Sequence, residues 1–150
     1  VVALDVWEGE PQLRSDVLAK VRYASPHIAG HSLEGKWRGT WQIVQAAAAH
    51  DGLTLSGTLQ DVLPGEGVQV LEWPNSGNPE LDLMAITHTL IQHIEDDSRL
   101  RAVMLEPDSA RGFDRLRKYY PVRREFPAHQ LLKVCDEASR KLLIALGFCC

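Results

Sequence analysis

Three side chains near the start of the chain are of types that proton-transfer chemistry uses. Asp5 lies within the apolar run 1–6, and Glu10 lies in the turn that follows this run. His27 lies in the stretch SPHIAGHS, Ser25–Ser32. An imidazole titrates near neutral pH, and a carboxylate on one ring nitrogen fixes the tautomer and favours the protonated form. Such a pair can take a hydroxyl proton while a hydride leaves for a cofactor. From spacing alone, the commoner interpretation is that His27 is a hydrogen-bonded loop histidine and Glu10 is a solvated turn glutamate.

The elements around these residues would bring them together. The run 1–6 is typical of a buried parallel strand, and Pro26 favours an extended segment before it. Because the carboxyl ends of such strands meet at one sheet edge, Glu10 and His27 could be in contact. Ser32 is a predicted N-cap for a long helix through about His50. An apolar stripe at helical spacing follows this helix: Leu33, Trp37, Trp41, Val44 and Ala48.

The second half of the chain is predicted to be α+β, without a βαβ rhythm. We expect residues 1–50 to be one piece of a larger unit, 51–65 a linker, and 66–150 a separate domain. Turn, cap and periodicity signals predict strands over 68–73 and 129–135. They predict helices that begin at Asn78 and Pro79, run from an Asp97 cap to Leu105, cover 110–119, and run from Asp136 to Leu146. The first of these helices has a predicted buried stripe of Leu83, Ile86, Leu90 and Ile94.

Composition narrows the function classes. A net charge of −4 and a pI of about 5.8 argue against a nucleic-acid or membrane-surface binder. No apolar run approaches the roughly 18 residues of a membrane span. Three cysteines without a CxxC pattern favour a reducing, cytoplasmic compartment.

His27 and His31 are four apart but have no evident third ligand, so we expect no metal. Gly65 and Gly67 follow a proline rather than a strand and do not predict a phosphate-binding loop.

Two groups of motifs carry a family resemblance. LDVWEGEP and ASPHIAGHSLEGKWRGT resemble the carboxyl-terminal part of the catalytic unit in D-isomer-specific 2-hydroxyacid dehydrogenases. FDRLRKYYPVRREF and VCDEASRKLLIALGF are similar to the subfamily that oxidises 4-phospho-D-erythronate in pyridoxal 5'-phosphate biosynthesis. Members of that subfamily carry a carboxyl-terminal dimerisation domain. The resemblance extends over nearly the whole chain and is loosest around 48–80.

The resemblance implies both a fold and a set of site residues. The fold would be an α/β remnant, the last strand and helix of a Rossmann-like catalytic unit, followed by a small α+β dimerisation domain that forms a homodimer through residues 66–150. Glu10 and His27 correspond to the catalytic pair, with His27 as the acid/base. Asp5 and Gly30 correspond to NAD contacts. His31 occupies a substrate-binding position where the family has tyrosine. The substrate-binding arginine and the cofactor loop of the family would lie upstream, so we expect a fragment that is inactive alone.

A basic set in the second half has two interpretations: a solvated helix face, or a group that binds the phosphate of the substrate bidentately. In the second case Arg123 and Arg124 are the predicted substrate-binding residues. The set consists of Arg111, Arg115, Arg117, Lys118, Arg123 and Arg124.

Two alternatives for the whole chain remain open. One is a self-association module over 66–150 with no chemistry of its own. The other is a different D-2-hydroxyacid dehydrogenase, one that ends in a small-molecule-sensing domain. Such a domain needs a βαββαβ pattern, and the three consecutive helices predicted over 79–119 argue against it.

Overall fold

The computed structural model describes residues 1–63 and 68–150. Helices dominate, and the strands are short. In chain order the elements are β1 (Ala3–Leu4), α1 (Ser15–Leu18), β2 (Tyr23–Ala24), α2 (Leu33–His50), α3 (Leu59–Val62), β3 (Gln69–Glu72), α4 (Pro79–Leu90), α5 (His93–Val103), α6 (Ser109–Lys118), a 3-10 turn (Phe126–Ala128), β4 (His129–Leu132) and α7 (Glu137–Ala145).

The chain packs into two compact units, each assembled from two separate segments. The first combines Val1–His31 with His88–Val122, and the second combines Ser32–Thr87 with Arg123–Cys150. The units are therefore interleaved along the sequence, whereas the sequence analysis divided the chain into successive segments. The predicted domain limits of 1–50, 51–65 and 66–150 stay a prediction. Gly65 and Gly67, predicted not to form a phosphate-binding loop, lie outside the described residues.

The first unit is built on a parallel pair of strands. β1 pairs with β2, with Ala3 opposite Tyr23 and Leu4 opposite Ala24. The apolar run 1–6 thus forms a parallel strand, but a shorter one than predicted, and Val1, Val2 and Val6 are exposed rather than buried. Buried side chains from both segments make one core and hold α5 and α6 against this pair: Trp7, Leu13, Leu18, Val21, Ala24, Leu100 and Phe113.

The second unit is also built on a parallel pair. β3 pairs with β4 from Gln69 opposite His129 to Glu72 opposite Leu132. The predicted strands are confirmed, but the prediction of an α+β half without a crossover is wrong. Parallel neighbours need a long connection between them, and here the chain from α4 to α6 supplies it. The resulting class is a mixed α/β structure, mostly helical with short parallel strands.

Capping residues set several helix ends as predicted. The Ser32 side chain accepts a hydrogen bond from the Gly35 N–H and begins α2, which runs to His50. Asn78 Oδ1 accepts from the N–H groups of Glu80 and Leu81 at the start of α4. Asp136 caps α7 through the Ser139 N–H in the same way. These carboxylate, amide and hydroxyl oxygens satisfy N–H groups that have no partner inside their helix.

The prediction that Asp97 caps a helix is wrong. α4 ends at Leu90 and α5 begins at His93, so Asp97 lies inside α5. Its carboxylate instead accepts a hydrogen bond from the Ala24 N–H at 2.8 Å. The contact joins residues 73 apart in sequence, so the residues around Asp97 do not indicate it. Ile94 was predicted to continue a buried stripe but is 49% exposed on α5.

The apolar stripe predicted along α2 is only partly buried. Ala48 is buried, but Trp37 and Val44 are 37% and 40% exposed. The spacing correctly predicts the helix, because periodicity reports which residues share a face. It does not report whether this chain covers that face.

Candidate active site

The parallel strands β1 and β2 bring the first candidate residues together. Asp5 follows β1 directly, and the stretch Ser25–Ser32 follows β2. The Ser25 N–H donates to the Leu4 carbonyl at 3.0 Å, and the His27 N–H donates to the Asp5 carbonyl at 2.8 Å. The strand ends therefore continue their pairing into the loop and bring Asp5 against it.

The carboxylate of Asp5 organises this loop. Its Oδ1 accepts from the Ser25 hydroxyl at 2.6 Å and from the Ile28 N–H at 2.8 Å, and its Oδ2 accepts from the Ala29 N–H at 3.0 Å. Burial alone would raise the pKa of Asp5, but these three donors outweigh it and hold the pKa below its usual value. Sequence reasoning missed Ser25, whose hydroxyl makes the shortest of these bonds.

Glu10 and His27 form a carboxylate–imidazole pair, as their position after the two strands suggested. Glu10 Oε2 lies 2.8 Å from His27 Nδ1. The Trp7 N–H donates to Glu10 Oε1 at 2.8 Å and fixes the carboxylate from its other side. Because a carboxylate only accepts, Nδ1 carries the proton and Nε2 carries the lone pair of the neutral ring. The side chain of His27 is 43% exposed, against 19% for Glu10, so the imidazole can be reached from outside.

The backbone of His27 adopts a conformation that a side-chain-bearing residue rarely takes. Its φ is +54°, in the left-handed region. Such a backbone persists where surrounding contacts over-determine it, and these positions cluster at functional sites. The contacts here are the bond from the His27 N–H to Asp5 and a bond from the Trp7 indole Nε1 to the Ser25 carbonyl, 2.9 Å long. Trp7 is the second residue of this site that the sequence analysis missed.

His31 and Gly30 complete the loop. The His31 N–H donates to the Ile28 carbonyl at 2.9 Å, and its ring lies edge-on to Tyr120 with 6.1 Å between centroids. The Tyr120 hydroxyl donates to Asp96 Oδ2 at 2.8 Å. Gly30 is exposed, and a Cβ built on it would have no neighbour within 4 Å. Their predicted substrate and cofactor roles stay predictions.

Arg123 and Arg124 belong to the second unit. There the Leu33 N–H donates to the Arg123 carbonyl at 2.8 Å. Arg124 Nε donates to Glu34 Oε1, and both side chains of this ion pair are only about one-tenth exposed, 10% and 11%. Burial would raise the pKa of Glu34, but the bond from Arg124 and backbone N–H groups lower it. The guanidinium of Arg124 therefore has a structural partner at the start of α2, which competes with the predicted phosphate role.

The remaining basic residues lie on α6 of the first unit. Arg111, Arg115 and Lys118 line an open groove of about 840 Å³ together with acidic side chains. Arg115 is already paired with Glu106, 2.9 Å away, and Arg117 stacks over the Phe113 ring. The groove is thus mixed in charge rather than uniformly basic. Its acidic members are Glu106, Asp108 and Asp114.

A metal site would need grouped ligand side chains, and a membrane-spanning segment would need a long apolar helix. Within residues 1–63 and 68–150, no three His, Cys, Asp or Glu side chains are grouped as metal ligands would be. None of the helices described combines the length and apolar character that crossing a bilayer requires.

Fold and site together define a mixed α/β chain in which the ends of two short parallel strands hold a carboxylate–imidazole pair. The family model described as a domain of unknown function, DUF3410, matches residues 62–147. Since this is more than half of the chain, the chain belongs to that family.

The chain is also similar to curated proteins named erythronate-4-phosphate dehydrogenase. It is 43% identical over 149 residues to that of Edwardsiella ictaluri, 44% over 148 residues to that of a Pseudomonas aeruginosa strain, and 42% over 151 residues to that of Yersinia enterocolitica. These matches take in 97–98% of this chain but only 38–39% of each relative. The chain therefore spans about two fifths of the length of these curated relatives. The motif-based resemblance is confirmed.

Proposed function

We propose that this chain is part of an NAD-dependent dehydrogenase that oxidises 4-phospho-D-erythronate to the corresponding 2-oxo acid. The observation that supports this best is the 2.8 Å contact between Glu10 Oε2 and His27 Nδ1 at the strand ends. The relatives are named for that activity, and they match 97–98% of this chain. Residues 1–50 would then be the last strand and helix of a Rossmann-like catalytic unit.

His27 is the acid/base in this proposal. The Nδ1–H group donates a hydrogen bond to Glu10, so the lone pair lies on Nε2 and takes the proton of the C2 hydroxyl group as the hydride leaves C2. NAD, when bound, supplies the hydride acceptor. Glu10 stabilises the imidazolium that results and keeps the ring in the productive tautomer. The φ of +54° at His27 fixes the direction from which the ring meets the substrate.

Asp5 and Gly30 are the residues here that would hold part of the cofactor. Asp5 Oδ2 accepts from the Ala29 N–H at 3.0 Å, and a carboxylate oxygen has a second lone pair for a carboxamide N–H. The open space at Gly30 leaves room beside the same loop. An accepting carboxylate beside open space fits the carboxamide at the nicotinamide end of a dinucleotide. His31, Arg123 and Arg124 stay proposed substrate contacts, with Arg124 the weakest because of its bond to Glu34.

The test uses the complete protein that carries this chain. We expect NADH to form with 4-phosphoerythronate and NAD, and much less with 3-phosphoglycerate. Glu10→Gln should lower kcat about 100-fold with KM nearly unchanged, since acid/base assistance contributes roughly that factor. Glu8→Gln is the matched control, because Glu8 is an exposed glutamate in the same turn. Equal kcat values for the Glu10 and Glu8 variants would contradict the catalytic role.

A second candidate function is self-association through residues 66–150. Several large apolar side chains of the second unit are exposed, among them Leu81 at 57% and Met84 at 65%. A homodimer would remove such surface from water. This function is compatible with the dehydrogenase proposal for the complete protein.

A further inference from the structure

The strand that leads into the His27 loop depends on α5 for one of its backbone hydrogen bonds. The N–H groups of Tyr23 and Ser25 point toward β1 and donate to the carbonyls of Val2 and Leu4. The Ala24 N–H lies between them and points to the other side, where it donates to Asp97 Oδ1 at 2.8 Å. Ala24 is 2% exposed. A buried N–H without an acceptor is costly, so Asp97 supplies the hydrogen-bond acceptor that the backbone of a further strand would otherwise supply.

Arg101 fixes the carboxylate that performs this task. Its Nε donates to Asp97 Oδ2 at 2.8 Å, one helical turn away on α5. The same guanidinium donates to the Val21 carbonyl at 2.8 Å and to the Leu18 carbonyl at 3.3 Å. One side chain therefore holds both Asp97 and the turn that precedes β2.

The other end of the loop is held by the neighbouring residue of α5. Asp96 is 4% exposed and accepts from the Tyr120 hydroxyl at 2.8 Å. The Tyr120 ring lies against the ring of His31, with 6.1 Å between centroids. Asp96 also pairs with Arg99, at 3.3 Å. Two adjacent carboxylates on one helix thus support Ala24 before the loop and, through Tyr120, His31 after it.

We propose that Asp97 and Arg101 are positioning residues for His27: α5 acts as a brace that sets β2, and with it the loop that presents the imidazole to Glu10. Both residues lie within 62–147, the part of the chain that matches the domain of unknown function. That region then contributes to the catalytic geometry of its own chain, in addition to any role in self-association. The consequence for catalysis rests on the dehydrogenase function proposed above.

The test compares variants of the complete protein by kinetics and by backbone deuterium uptake. Asp97→Ala removes the acceptor of the Ala24 N–H, and we expect uptake over residues 23–28 to become at least 10-fold faster. A misplaced imidazole should lower kcat by roughly 10- to 100-fold and change KM by less than about threefold. Asp97→Asn keeps an oxygen that can accept from Ala24 and should restore kcat to within a few-fold. Asp114→Ala, an exposed acidic residue on α6, is the matched control.

The readouts separate this brace from the dehydrogenase proposal. If the unaltered protein shows no dehydrogenase activity, the function is wrong, and deuterium uptake over 23–28 still tests the brace. If the unaltered protein is active, unchanged uptake and kcat in Asp97→Ala overturn the brace alone. A rise in KM with unchanged kcat also overturns it. Should Asp97→Ala fail to fold, Arg101→Gln replaces it, with about a threefold increase in uptake and a matching loss of kcat expected.

Discussion

At the scale of single residues, Asp5 has a second effect besides shaping the loop: it links stability to pH. Its carboxylate accepts from Ser25, Ile28 and Ala29, and its pKa in the folded chain is lowered. A lowered folded-state pKa means that the carboxylate contributes stability above the unfolded value. That contribution is lost as the pH falls below about 4 toward the folded-state pKa.

Asp5→Asn should therefore weaken the first unit at neutral pH and make its stability less sensitive to acid. The amide cannot present two accepting oxygens, so the N–H groups of Ile28 and Ala29 lose part of their bonding. We expect faster deuterium uptake at these two amides at pH 7, and a smaller difference from the unaltered chain at pH 3. Asp114→Asn is the control. A difference that grows on acidification would show that the carboxylate is not the cause.

The site residues divide into those that sequence could predict and those it could not. Glu10 and His27 each follow a predicted extended segment, and residues just after the ends of neighbouring parallel strands meet, so the proximity of Glu10 to His27 was predictable. Ser25 and Trp7 act through a hydroxyl and an indole N–H that reach across the loop. Those contacts join residues 18 and 20 apart in sequence, so the spacing of residue types does not indicate them.

At the scale of elements, two glycines in helices occupy opposite environments and make a matched pair. A Cβ on Gly112 of α6 would lie within van der Waals overlap of Val103 Cγ1, at 2.4 Å, and close to Glu106 Oε2. A Cβ on Gly39 of α2 would meet nothing within 4 Å. Gly112 therefore allows α5 and α6 to approach closely. Gly39 lowers the stability of α2 and has no close neighbour that requires a glycine there.

Gly112→Ala should destabilise the chain by about 1–3 kcal/mol, because Val103 is buried and cannot move aside freely. Gly39→Ala should stabilise it by roughly 0.5–1 kcal/mol, the usual gain of alanine over glycine inside a helix. Urea unfolding monitored by circular dichroism measures both. A Gly112→Ala variant as stable as the unaltered chain would contradict the α5–α6 packing described here.

The start of α2 depends on the ion pair between Glu34 and Arg124. Both side chains are nearly buried, and Glu34 Oε2 also accepts from the Glu125 N–H at 3.0 Å. The Ser32 hydroxyl donates to Glu125 Oε1 at 2.9 Å. Residues 124 and 125, just before the 3-10 turn that leads into β4, are therefore bonded to the start of α2 at several points. This arrangement explains an arginine at position 124 without reference to a substrate.

Arg124→Ala should lower the free energy of unfolding by about 3 kcal/mol, because it leaves a buried carboxylate without its partner. The double variant Glu34→Gln/Arg124→Met should recover most of that loss, since no unpaired charge remains. Thermal or urea unfolding checks both. If Arg124→Ala leaves stability unchanged and instead raises KM for 4-phosphoerythronate in the complete protein, the phosphate role is correct and the structural one is wrong.

Helix ends were more predictable than helix partners. Ser32, Asn78 and Asp136 cap the helices predicted for them, because a cap is a contact between residues two or three apart. Asp97 has the same residue type but bonds to Ala24, which is distant in sequence. The acidic stretch Glu95–Asp97 could not distinguish a cap from such a contact.

At the scale of the whole molecule, strand direction was the main feature that the sequence left open. The four strands were placed correctly to within a few residues, but β3 and β4 are parallel and the second half had been predicted without a crossover. Strand patterns show which residues lie on a face; they do not show which way the chain returns. That direction is set by the connection between β3 and β4, which runs over residues 73–128.

The exposed apolar surface of the second unit leads to the last prediction, that the chain self-associates. Leu81 and Met84 are three apart on α4, so they share a face, and they are 57% and 65% exposed. Covering them in a homodimer would contribute about 1.5–3 kcal/mol for each fully buried side chain. We expect light scattering after gel filtration to give a dimer mass. Leu81→Gln/Met84→Gln should weaken dimerisation at least 10-fold, while Glu80→Gln on the same helix should not. A monomer at high concentration, with stable folding, would exclude self-association by this chain.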